Sequence, residues 1–133
     1  MIKLTFAYAV ALAIFGASDF IWLSLVGGPK FQAAMGDAVE FRLLPAIAFY
    51  LLYPIGLVMF AVAPALRQTS LQPAVVNAAA FGFFAYATYD LTNHATLRDY
   101  TLELAILDLT YGTIASAIAA GGAYLLSRKV AKA

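Results

Sequence analysis

The chain has 133 residues, a net charge of +1, and 64% hydrophobic against 11% charged residues. A soluble domain carries about 25% charged residues, and a mean hydropathy of +0.86 sets this chain outside that class. The near-neutral balance excludes a nucleic-acid partner, which needs a dense basic face, and the lack of cysteine excludes disulfide frameworks, thiolate metal sites and cysteine nucleophiles.

A spanning helix needs about 20 mostly apolar residues, and four segments qualify. The first covers residues 4–26, and Gly27-Gly28-Pro29 should stop it. Gly16, Ala17 and Ser18 resemble a signal-peptide cleavage site, but the apolar run resumes with "FIWLSLV". No soluble domain follows for export, so a retained span is expected. The next stretch, "GGPKFQAAMGDAVEFR", reads either as a surface loop or as a short interfacial helix over residues 29–35. In the helical case Phe31 and Met35 would lie on the headgroup boundary.

The second span covers residues 43–66. Pro45 suits its first turn, whereas Pro54 is deeper and should kink the helix or free a carbonyl. The third covers residues 73–93, with Pro73 in its first turn after Thr69, Ser70 and Gln72. The fourth covers residues 101–127, with Asp99 or Thr101 as its cap. Short links make sequence neighbours antiparallel. The expected fold is all-α: a single-domain integral membrane four-helix antiparallel bundle.

Basic residues near the span ends set the orientation. One side holds Lys3, Arg67, Arg128, Lys129 and Lys132 with no acidic residue. The other holds Lys30, Arg42 and Arg98 mixed with Asp37, Glu40, Asp99 and Glu103. Both termini are therefore expected in the cytoplasm.

Ionisable residues within spans point to function by default, and three aspartates fall in the outer half of this membrane. Asp19 and Asp108 lie roughly 10 Å deep by helical rise, and Asp90 is shallower. Helical spacing puts Tyr86, Asp90, Asn93 and His94 on one face, Phe15, Asp19 and Trp22 on another, and Asp108 with Leu104, Tyr111 and Gly112 on a third. Tyr50 and Tyr53, beside Pro54, would complete the wall. A charged Asp at a helix centre costs about 2.5–3.5 kcal/mol. The three must therefore converge and be protonated, hydrated, metal-bound, or paired with a cation such as His94, Arg98 or Arg42. Below Asp108 run Gly112, Ala115, Ala119 and Gly122, a small-residue stripe that permits close helix contact. No nucleotide-binding, metalloprotease or nucleophile-elbow motif is present.

The stretch "FGFFAYATYDLTNHATLRDY" resembles the signature of small bacterial inner-membrane proteins known as domain of unknown function 2177. "SDFIWLSLVGGPKFQ", "FYLLYPIGLVMFAVAPAL" and "LDLTYGTIASAIAA" are similar to that family too, so the resemblance spans nearly the whole chain. It implies four spans and a bacterial inner membrane, and no activity. In relatives the position after "YDLTN" is often apolar or small, so the resemblance favours Asp19, Asp90, Asn93 and Asp108 over His94 as the functional set.

Three functions fit these residues. The first is binding or modification of a lipid-like ligand, with Asp90, Asp108 and Asp19 as acid/base or cation-binding groups. Asn93 and His94 would contact the ligand, and Trp22, Tyr50, Tyr53, Tyr86 and Tyr111 would line its pocket. The second is a small transporter or proton-coupled subunit, which would need a homodimer built on the small-residue stripe. The third is a structural or assembly partner whose polar layer fixes helix register. Membrane lipids are partners in all three, and neither a cofactor nor a metal is specified.

Overall fold

A computed structural model describes residues 1–130. Lys132, counted above for orientation, lies outside the described residues. Four long helices run Ile2–Ala38, Leu43–Gln68, Leu71–Thr96 and Leu102–Val130. The fourth packs against the first and third, and the second closes the ring between the third and the first. Every neighbour in this ring is antiparallel.

The bundle is inside-out relative to a soluble one. Its core is mostly small, with Ala7, Ala11, Ala61, Ala65, Ala74, Ala78, Ala119 and Ala123 fully buried. Such residues let helix backbones approach closely where lipid removes the hydrophobic drive to pack. Large apolar side chains such as Phe20, Leu44, Leu52, Met59, Phe84 and Ile118 face outward. Three of the helices are long and apolar enough to cross a membrane. The third is also long, at 26 residues, and carries Asn77, Asp90, Asn93 and His94 as polar substituents.

The first helix does not stop at Gly27-Gly28-Pro29, contrary to expectation. It passes through a π-turn at Leu23–Gly27 and continues as Gly28–Met35. A second π-turn, Val58–Val62, interrupts the second helix just before Pro64. The common cause is proline, which cannot donate to the carbonyl four residues back and collides with it. Widening the preceding turn by one residue relieves the collision and keeps the helix going. Pro64 leaves the Phe60 carbonyl without its helical donor, and Asn77 of the third helix supplies one from Nδ2 at 3.1 Å. The sequence pointed to Pro54 for this effect, and the widened turn lies further along.

Residues 29–35 are helical, the second of the two readings, and Phe31 and Met35 are half-buried against Tyr100, Leu104 and Ala105, while Lys30 pairs with Glu103 at 2.7 Å. The extended first helix thus braces the turn between the third and fourth helices. Thr101 caps the fourth, its Oγ1 accepting from the Leu104 N–H at 3.1 Å. Ser70 caps the third by accepting from the Gln72 N–H.

The small-residue stripe packs within the bundle. Gly112 lies beneath the Tyr86 ring, where any Cβ would collide, and Gly122 abuts Ile14 of the first helix. Ala115 and Ala119 are buried.

Candidate functional site

The C-terminal half of the second helix, from Val58, packs on the third and fourth helices, while its N-terminal half touches mainly the first. A cavity of about 370 Å³ opens in the resulting gap. Asp19, Leu23 and Phe31 of the first helix line it, as do Tyr50 and Tyr53 of the second, Tyr86 and Tyr89 of the third, and Asp108 of the fourth.

All three aspartates are buried, Asp19 to 7%, Asp90 to 0% and Asp108 to 6% exposure. Each accepts a hydrogen bond from an aromatic side chain on another segment. The Tyr50 hydroxyl donates to Asp19 Oδ2. The Trp22 indole N–H donates to Asp108 Oδ1 at 3.2 Å. The Tyr100 hydroxyl donates to Asp90 Oδ1 at 2.5 Å. Burial, and then the Asp90 carboxyl, push the Tyr100 phenol above its ordinary value, so it stays protonated as a donor.

Trp22 is held on two sides. Its ring stacks on Tyr111 with centroids 4.5 Å apart and planes within 2°. A Cβ at Gly27 would sit 2.5 Å from its Nε1, so the glycine in the π-turn makes room for the indole that binds Asp108. On the floor, the Tyr53 and Ser116 hydroxyls lie 2.7 Å apart, and Ser116 donates to the Gly112 carbonyl at 2.6 Å.

Asp108 is the hub, with Asp90 and Asp19 both in its neighbourhood. Asp90 Oδ2 is buried with no protein donor, and so is the Tyr111 hydroxyl, which neighbours Asp19.

Not every residue expected at the site reaches the cavity. Asp90 is fully buried, bonded to Tyr100, and is not on the wall; Trp22 and Tyr111, expected to line the pocket, are not on it either. His94 is exposed, and its Nδ1–H donates to the Tyr100 carbonyl at 2.6 Å, which clamps the turn. Asn93 neighbours the Tyr89 hydroxyl. Arg42 pairs with Glu40. Among the described residues no basic group forms an ion pair with any of the three aspartates, and no three acidic or histidine side chains gather around one ion position.

Sequence reasoning missed several contributors, among them Phe31, Phe49, Tyr89 and Tyr100. Phe49 was findable, because Ala46, Phe49, Tyr50 and Tyr53 form one helical stripe. Tyr100 had no periodic signal, since it reaches Asp90 across a turn.

Helices with lipid-compatible surfaces around a buried polar layer define a helical integral membrane protein. The chain belongs to the family described as a predicted membrane protein, domain of unknown function 2177, whose model matches residues 4–125. The matched range includes every residue of the cavity wall. No curated protein and no solved structure matches the chain.

Proposed function

We propose that the protein binds a membrane amphiphile in an acidic pocket within the outer half of a bacterial inner membrane, all four helices crossing and both termini in the cytoplasm. The observation that carries this reading is the cavity of about 370 Å³, walled by aromatic rings and by the Asp19 and Asp108 carboxyls. Ligand sites combine such volumes with a few convergent polar groups. The gap between the second and third helices would admit a tail from the lipid, and the carboxyls would receive the head. Asp108 would be the acid/base group of any reaction on that head, with Asp90 positioning it.

The test is native mass spectrometry of the protein released from native-lipid nanodiscs. A defined adduct is expected on the unmodified chain and not on Ala85→Phe, whose ring would fill the cavity. An adduct retained by Ala85→Phe, or no adduct on either protein, overturns the reading.

A second reading, a proton relay, draws support from Asp90 and Asp108. A proton passed between them would reach Asp19 through the cavity. Proton uptake by proteoliposomes that is lost in Asp108→Asn would favour it, and its absence would discard it.

A further inference from the structure

The wall of the cavity has an unbalanced chemistry. Two carboxyls, Asp19 and Asp108, reach it, and among the described residues no Lys, Arg or His lines it. Lys30 and Arg42, the chain neighbours of the wall residues Phe31 and Phe41, are engaged with Glu103 and Glu40. The donors supplied by the protein are neutral: the Tyr50 hydroxyl on Asp19 and the Trp22 N–H on Asp108. Behind them Asp90 Oδ2 is buried with no protein donor. The remaining wall is largely aromatic, with Phe49, Tyr50, Tyr53, Tyr86 and Tyr89.

This wall discriminates between ligands by head-group charge. A phosphate or carboxylate head would meet two carboxyls and no cation, in a setting where like charges are weakly screened. A cationic head would supply the counter-charge that the protein withholds and would also meet the faces of several rings, which attract cations. Carboxylates accept hydrogen bonds, so a head with N–H donors gains more than one without them.

We propose that the pocket selects an amphiphile with a primary ammonium head, which bridges Asp19 and Asp108 while its chain lies along the aromatic wall. This rests on the amphiphile-binding reading above and narrows it to one chemical class. The ammonium could belong to a free long-chain amine or to the head of an aminophospholipid, and the two differ by a phosphate close to the nitrogen.

The experiment measures binding to the purified full chain in phosphatidylcholine nanodiscs by isothermal titration, with empty nanodiscs as the partition control. The probes share a twelve-carbon tail: dodecylammonium, dodecanol and dodecyl sulfate, with a lauroyl lysophosphatidylethanolamine as the lipid arm. Dodecylammonium is expected to bind at least about tenfold more tightly than dodecanol, the effect of one charge-assisted contact, and dodecyl sulfate weakest of all. Asp19→Asn and Asp108→Asn should each lower the ratio of dodecylammonium to dodecanol affinity. Comparable binding of the lysolipid assigns the ammonium to a lipid source, and its exclusion assigns it to a free amine. Equal binding of ammonium and alcohol overturns the selectivity and leaves the amphiphile reading standing. Saturable binding of none of the four overturns both. The head-group comparison needs only the unmodified chain, so a variant that fails to fold does not remove the test.

Discussion

Asp90 shows how a single side chain is fixed by what it lacks. One of its oxygens takes the Tyr100 hydroxyl, and the other is buried beside Asp108 with no donor. Removing the hydroxyl in Tyr100→Phe should leave a fully buried carboxyl without its one protein donor and cost about 1–3 kcal/mol. Asp90→Asn should behave differently. Its Oδ1 can still accept from Tyr100, and its amide N–H can donate to Asp108. Thermal unfolding in detergent should therefore place Asp90→Asn at or above the unmodified protein and Tyr100→Phe below it. Equal losses in the two variants would show that Tyr100 acts through packing alone. The Asp90 face with Tyr86 was legible from offsets of three and four. The Tyr100 bond was not, because periodicity carries no information across a turn.

Each of the two long helices in the first half of the chain carries a π-turn, and a proline follows each. At Pro64 the freed Phe60 carbonyl is taken by Asn77, so an isolated intramembrane asparagine has a local structural explanation. Asn77→Ala should cost about 0.6 kcal/mol and at most about 1.7 kcal/mol, the range for interhelical hydrogen bonds in membranes. With Pro64→Ala already present, the backbone N–H at position 64 can reclaim that carbonyl, and the cost of Asn77→Ala should shrink toward zero. A double-mutant cycle measures this coupling, and additive losses would disconnect the two residues. Helix existence and approximate limits followed from apolar run length. The continuation through Gly27-Gly28-Pro29 did not, because a glycine-glycine-proline string signals both a helix end and a widened turn. Packing of Phe31 and Met35 on Tyr100 decided between them.

The whole bundle has polar chemistry at one end of its core and small residues at the other. In the proposed orientation, termini in the cytoplasm, the cavity would open toward the outer leaflet. The chain has no native cysteine, so single introduced thiols report topology cleanly. A membrane-impermeant maleimide applied from outside should label positions 36–40 and miss a thiol placed at position 130 until the membrane is broken. Labelling at position 130 in intact cells would invert the protein and put the cavity toward the cytoplasm. The four-helix architecture was legible because lipid imposes a length and a composition on every crossing. The cavity was legible only as a convergence of aspartates, since its volume comes from the N-terminal half of the second helix packing on the first rather than the third, which no local pattern encodes.

Trp22 is the chain's only tryptophan, and it binds a cavity carboxyl while stacked on Tyr111. Light emitted by this protein under selective indole excitation therefore originates at the site itself. Contact with the carboxyl and with the stacked phenol makes its wavelength and lifetime sensitive to the charge and hydration of the cavity. The fold has in effect installed a single optical probe at the point where a ligand's head would arrive, with no second fluorophore of its kind to dilute the signal.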